Sequence, residues 1–253
     1  MRDGRTSLVQ DVAWKRAWGA KARAVSDVVR AGLRPAFEQL LNARETGQSC
    51  VVGQLGLSLD GRIATPSGDS CYINGRDALQ HLHRVRALVD AVIVGAGTVR
   101  ADNPQLTVRH CEGPDPARVV IDPSGSIPAD ARVWTETGCR RIVIGGADEL
   151  PDGVERIAVP RGDIEVGDIL SKLDSLGLRR VLVEGGADTL SRFMTAGRVD
   201  CLHLLYGRVI IGSGKPGLNL PPIDALKDAC RPETSTHIFP DGDFLISCNL
   251  RAA

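Results

Sequence analysis

Nowhere does this chain hold the roughly 18 consecutive apolar residues of a membrane-spanning helix, and its start, Met1-Arg2-Asp3-Gly4-Arg5, lacks the apolar segment of a secretory signal. A soluble, cytoplasmic protein is expected. Neither sign of charge prevails: 31 Lys and Arg stand against 31 Asp and Glu. No overall field therefore draws nucleic acid or an anionic membrane, and an anionic ligand must be held locally. Seven cysteines, Cys50, Cys71, Cys111, Cys139, Cys201, Cys230 and Cys248, are scattered, odd in number and never spaced Cys-x-x-Cys. That pattern argues against a disulfide framework or a thiolate metal site and for reduced thiols. Internal repeats and low-complexity tracts are missing too. The dinucleotide fingerprint Gly-x-Gly-x-x-Gly is absent, because Arg100 stands where its third glycine would follow Gly95 and Gly97.

What is there can build a substantial core, since 253 residues are 43% hydrophobic. Residues 1–48 differ from the rest. Val12, Trp14, Ala17 and Trp18, then Val25, Val28, Val29 and Leu33, recur at helical spacing, which suggests two short amphipathic helices before Leu33-Arg34-Pro35. This extension must pack either on the body of the protein or on a second subunit. Residues 49–253 form the main domain. Val51–Leu57, Ala91–Val94, Arg118–Ile121, Arg141–Ile144, Val181–Val183, Leu202–Tyr206 and Phe244–Cys248 read as strands, with helical patterns at 75–88, 166–177 and 187–197 between them. The alternation predicts a three-layer α/β/α sandwich, its sheet mainly parallel with an antiparallel edge late in the chain. The Pro-Gly-rich stretches 113–128 and 212–222 read as loops inside it.

On the helix at 75–88, Leu79, Leu82, Arg86 and Val89 share one stripe, so Arg86 stands where leucine is expected. A buried arginine needs a partner, and two alternatives remain open: a carboxylate, or the phosphate of a ligand. His81 and His83, two apart, point to different sides of the helix and read as solvent-facing rather than as metal ligands; no metal is expected. The strand ending at Val94 runs into Gly95-Ala96-Gly97-Thr98, a glycine turn that lets a ligand approach the main chain. Glu184-Gly185-Gly186-Ala187-Asp188-Thr189 repeats the pattern at a helix start, where free amides suit a pyrophosphate; an ordinary strand-to-helix turn is the alternative. Asp60 in Ser58-Leu59-Asp60-Gly61 reads as a structural turn residue.

These pieces, with Asp69-Ser70 and the run Asp102-Asn103-Pro104-Gln105-Leu106-Thr107-Val108-Arg109, in this order and spacing, closely resemble the C-terminal reductase domain of bifunctional riboflavin-biosynthesis enzymes and the free-standing reductases related to it. The resemblance runs from about Cys50 to the C-terminus. It implies a dihydrofolate-reductase-like fold, a homodimer, and NADPH-dependent reduction of the ribosyl group of a ribosylaminopyrimidine phosphate to a ribityl chain. It further implies that Gly56, Tyr72, Thr98, Asp102 and the turn Gly186, Ala187, Asp188, Thr189, Leu190, Ser191, Arg192 line the NADPH site. Ser70, Arg86, Leu106, Arg109 and Glu184 would face the substrate, with Glu184 and Asp102 nearest the chemistry. The same resemblance puts Arg86 and Arg109 on the 5′-phosphate.

Two departures stand out. Family members commonly carry a lysine four residues before the serine of Ser-Leu-Asp-Gly, where this chain has Gln54, and the Asp-Asp-Pro of the family is here Asp102-Asn103-Pro104. The zinc-deaminase signature, His-x-Glu with Pro-Cys-x-x-Cys, does not occur. The alternatives are a reductase of the same fold acting on a different pterin, pyrimidine or aminosugar conjugate, and a non-catalytic NADPH-binding paralogue.

Overall fold

A computed structural model describes residues 19–146, 149–159 and 164–251. Among them, nine strands form one sheet in the order β10-β11-β8-β1-β7-β3-β4-β5-β6. The parallel part comprises β1 (Cys50–Leu57), β3 (Ala91–Gly95), β4 (Ala117–Asp122), β5 (Arg141–Gly145), β6 (Val154–Ile157), β7 (Arg180–Glu184) and β8 (Cys201–Tyr206). The antiparallel edge is β10 (Glu233–Ile238) and β11 (Phe244–Asn249). A separate ribbon pairs β2 (Arg62–Ala64) with β9 (Lys215–Pro216). The expected three-layer sandwich is what forms. Its central strands are apolar on both faces because both are covered: Val92, Val94, Val120 and Val143 point into one core, and Ile93, Val119, Ile142 and Ile144 into the other.

The first core lies beneath α1 (helical over residues 19–30), α2 (Arg34–Thr46) and α3 (Arg76–Leu88); the second lies beneath α5 (Val166–Ser175) and α6 (Ala187–Thr195). Ala24, Val28, Leu33 and Phe37 are all buried in the first core, so the described part of residues 1–48 packs on its own chain. Lys21 adds an ion pair to Asp90 and Asp27 one to Arg84. Trp14 and Trp18 lie outside the described residues. Pro35 opens α2 rather than ending helical structure, since a first-turn residue has no helical partner for its missing N–H.

Three further expectations change. Leu79 on α3 is 41% exposed, and the buried stripe is instead Ala78, His81, Val85 and Leu88. His81 and His83 are not solvent-facing: both are 0% exposed. His203 Nε2 donates to the Ala36 carbonyl at 2.9 Å, leaving its Nδ1 to accept from His81 Nε2 at 3.1 Å, while His83 Nδ1 accepts the Arg109 N–H at 2.9 Å. The sequence pattern hides this, because each histidine finds a hydrogen-bond partner far away in the chain, while His81 Nδ1 and His83 Nε2 stay buried without one. The glycine turn after β3 is a short helix, α4 (Ala96–Asp102). Finally, β2, β6, β9 and β10 were not legible as strands, since edge and ribbon strands such as Glu233–Ile238 are polar and carry no apolar run.

The buried histidines set a pH dependence. Burial lowers His203 to about 4 and His83 to about 3, and lowers His81 far below the ordinary histidine value. The unfolded chain, with histidines near 6.5, therefore binds more protons than the folded one below that pH. Their stabilising contribution is complete above about pH 6.5 and is lost as the pH falls toward 4, on the order of 3 kcal/mol for His203 alone. Urea midpoints at about pH 7.5 and about pH 4.5 test this, and equal midpoints would contradict it.

Candidate active site

The carboxyl ends of the parallel strands carry the site, as open α/β sheets dispose their ligands. Two glycine turns interlock there. A Cβ on Gly95, at the end of β3, would stand 2.4 Å from Thr189 Oγ1 on α6, and one on Gly186, between β7 and α6, would stand 2.9 Å from Thr98 Oγ1 on α4. Gly185 and Gly186 both take left-handed φ, 66° and 67°, which turns the chain out of β7 straight into α6. The amides at the start of α6 therefore face the open end of the sheet.

Two cavities adjoin at this junction. The larger, about 790 Å³, runs along the α4 and α6 starts past Gly97, Ala187, Asp188 and Thr189 and on to Arg100 and Ser124. The smaller, about 480 Å³, is lined by Gln54, Gly56, Tyr72, Arg86, Leu106 and Glu184. Ile63, Ser70, Thr98, Asp102 and Gly186 line both. Molecules in the two cavities would touch across that shared wall. Among the described residues, three non-glycine residues take positive φ: Tyr72 and Leu106, which line the smaller cavity, and Asn103, next in the chain to Asp102, strain of the kind that collects at working sites.

Arg86 and Glu184 face each other across the smaller cavity's wall. Arg86 Nε and Nη2 each donate to one carboxylate oxygen of Glu184 at 2.6 Å, and Nη1 donates to the Thr107 carbonyl at 2.9 Å. Their side chains are 6% and 10% exposed. The fork that a phosphate would need is engaged by this carboxylate, which favours the first of the two alternatives left open for a buried arginine. Asp102, at the shared wall, has its carboxyl pushed up by burial, with Lys215 acting in the opposite direction.

Most residues implied by the resemblance line one cavity or both; three do not. Arg109 is exposed and outside both, its Nη1 on Thr107 Oγ1 at 2.6 Å. Leu190 is a core residue, 0% exposed. Ser191 turns away to accept the Asn219 N–H at 2.8 Å and lines a separate recess. Gly56 lines the smaller cavity, but its missing side chain makes room for Asn74, whose Oδ1 would be 2.2 Å from a Cβ there. Asp60 is the turn residue it reads as: it accepts from Ser58 Oγ at 2.6 Å and from the Ile211 and Gly212 amides at 3.1 and 2.6 Å, and the Ser58 bond leads in lowering it to about 2. That clamp holds the loop leading to Lys215 on β9, which lines the larger cavity. Lys215, Arg100 and Ser124 escaped the sequence reading, since they sit on the two-residue strand β9, the short helix α4 and a turn, where the only local signal was glycine and proline. Among the described residues, no group of three or more His, Cys, Asp or Glu is placed to hold a metal ion.

Residues 50–239 match the family described as the RibD C-terminal domain. The riboflavin biosynthesis protein RibD of Bacillus amyloliquefaciens is 34% identical over 196 residues, covering 71% of this chain and 52% of that protein. The 2,5-diamino-6-ribosylamino-4(3H)-pyrimidinone 5′-phosphate reductase of Methanothermobacter thermautotrophicus is 34% identical over 199 residues, covering 72% of this chain and 89% of that one. The crystal structure of Acinetobacter baumannii RibD superposes with a TM-score of 0.72 at 30% identity, over 87% of this chain and 62% of its own. The chain spans between 46% and 62% of the length of these RibD relatives.

Proposed function

This chain belongs to the RibD C-terminal domain family, and from that premise we propose that it is an NADPH-dependent reductase converting the ribosyl group of a phosphoribosylaminopyrimidine to a ribityl chain in riboflavin biosynthesis. The observation that carries the reading is the shared wall of Ser70, Thr98, Asp102 and Gly186, where a cofactor in one cavity meets a substrate in the other. The larger cavity suits a dinucleotide: the pyrophosphate fits at Gly186-Ala187 against the α6 start, beside Asp188 and Thr189. Arg100 and Ser124 at its far end offer a cation and a hydroxyl to the 2′-phosphate that distinguishes NADPH from NADH. Thr98 and Asp102 flank the nicotinamide end, with Tyr72 and Gly56 beyond them; Arg192 lines the same cavity.

A nicotinamide bound there would supply a hydride for C1′ of the sugar. The protein's part is to position the sugar and move one proton. Asp102 lines both cavities and its carboxyl is pushed up from the ordinary carboxylate value, so it is the acid placed to hand a proton to the departing ring oxygen. Glu184, fixed by Arg86, orients sugar hydroxyls through its remaining lone pairs, with Ser70 and Leu106 bounding the substrate. Arg109, exposed beside Thr107, is the cation left to meet the 5′-phosphate at the rim. Turnover of phosphoribosylaminopyrimidines, followed by nicotinamide absorbance and by mass spectrometry of the ribityl product, tests the reading. NADPH should be used at far lower concentration than NADH; absence of turnover with every such pyrimidine, in protein that binds NADPH, would sink it. Gln54 favours the second reading, the same chemistry on a related pyrimidine, pterin or aminosugar conjugate.

A homodimer is the other part of the proposal. Its support is the open edge strand β10, with Ile238 at 72% exposed and Ile210 and Leu226 at 73% and 78%. Sedimentation at micromolar concentration should give twice the monomer mass, and a clean monomer would refute it.

A further inference from the structure

Three consecutive residues beside the smaller cavity are each held by a different long-range bond. The Thr107 carbonyl accepts from Arg86 Nη1 at 2.9 Å, the Val108 N–H donates to Asp115 Oδ1 at 2.6 Å, and the Arg109 N–H donates to His83 Nδ1 at 2.9 Å. They follow Leu106, whose backbone takes a left-handed φ of 58°. His83 and Arg86 stand one turn apart on α3, so one face of that helix grips the segment at both a C=O and an N–H. The bond on Arg109 itself comes from His83. That ring is 0% exposed and packs edge-to-face with His110, their centroids 4.5 Å apart. Because Nδ1 accepts, the proton of neutral His83 sits on Nε2, which is enclosed without a partner. Keeping one nitrogen on Arg109 therefore leaves the other unsatisfied, a cost that calls for a reason. Burial, with Arg86, His110 and Arg109 around it, lowers His83 to about 3, so Nδ1 remains an acceptor throughout the neutral range.

We propose that His83 is a positioning residue for the substrate's phosphate: by accepting the main-chain N–H of Arg109, it fixes where that guanidinium emerges at the rim. This rests on the reductase reading above, in which Arg109 meets the 5′-phosphate, and names what holds that cation in place. Among the described residues only neutral oxygens hold the Arg109 side chain, Thr107 Oγ1 at 2.6 Å and Gln105 Oε1 at 3.3 Å, so its charge is left for an anion. A long side chain with many rotamers and no carboxylate on it is only as well placed as the backbone it starts from. His83 and Thr107 act on that origin from opposite ends: the ring fixes the Arg109 amide, and the hydroxyl, on a residue whose carbonyl Arg86 holds, fixes the guanidinium. A phosphate arriving there finds the cation already ordered, which lowers the cost of binding it.

The test compares three variants. His83→Leu removes the acceptor, His83→Gln carries it out toward the Nε2 position, and His83→Asn puts an amide oxygen where Nδ1 stood. On the phosphoribosylaminopyrimidine, the first two are expected to raise KM by about 5- to 20-fold with kcat changed by less than about 3-fold and NADPH affinity unchanged, while His83→Asn stays within about 3-fold of the wild type. On the dephosphorylated substrate all four proteins should share one KM, which a general loss of packing would not spare. In calorimetry of the NADPH complex, ribose 5-phosphate should lose affinity by a similar factor in His83→Leu and His83→Gln and be recovered in His83→Asn. If His83→Leu does not fold, the contrast between His83→Gln and His83→Asn decides. Equal KM values in those two variants would overturn the assignment, as would a rise that falls equally on phosphorylated and dephosphorylated substrate. Arg109→Ala separates the two layers of the reading: an unchanged ribose 5-phosphate affinity there overturns both, whereas a loss that His83→Gln does not share overturns the role of His83 alone. If the wild type turns over no phosphoribosylaminopyrimidine, the reductase reading fails separately, and the ribose 5-phosphate titrations decide His83.

Discussion

Arg86→Ala is expected to cost the fold about 3–5 kcal/mol, because it leaves the Glu184 carboxylate buried without its two 2.6 Å partners. Reductase activity should fall with it, since Glu184 would no longer be held against the smaller cavity. Arg86→Lys keeps the charge but only one of the two fork bonds, so it should recover part of the stability. The double variant Arg86→Leu/Glu184→Leu removes both charges, and its denaturant midpoint should lie above that of Arg86→Ala while activity stays lost. The ratio of turnover on phosphorylated and dephosphorylated substrate separates this pair from a phosphate anchor. It should be the same in Arg86→Lys as in the wild type; a collapse of that ratio would return the guanidinium to the phosphate.

Gly186→Val should abolish most cofactor binding at working concentrations. The backbone there holds φ at 67°, a left-handed value that a β-branched residue reaches only with strain, and the new Cβ would stand 2.9 Å from Thr98 Oγ1. Moving either group displaces the turn whose amides open α6. A loss of about 1–3 kcal/mol in NADPH affinity, roughly 5- to 150-fold, is expected in a fluorescence titration. Adding Thr98→Ala should relieve the contact but not the φ strain, so recovery should be partial. Wild-type affinity in Gly186→Val would remove this turn from the cofactor site.

The parallel strands other than the edge strand β6 were legible because they are buried on both faces, so each reads as an unbroken run such as Ala91–Val94 or Arg141–Ile144 whatever its neighbours. The glycine turns were legible for a local reason as well: a left-handed φ at Gly186 demands a residue without a Cβ, and that demand is written in the sequence. Arg86 was legible as an anomaly, a cation on an apolar helix, but not in its meaning. Its partner is 98 residues away on another strand.

The sequence by itself therefore determined the layer architecture, the order of the central elements and the neighbourhood of the site, all of which follow from burial period and local backbone chemistry. Only the tertiary structure decided who meets whom: that Glu184 takes Nε and Nη2 of Arg86, that His81 meets a His203 held by the Ala36 carbonyl, that Lys215 follows a loop clamped by Asp60, and that Gln54 Oε1 is left without a partner. Hydrogen bonds and ion pairs are directional and act over a few ångströms, so their partners are fixed by strand register and crossover connections, which no residue's local pattern encodes.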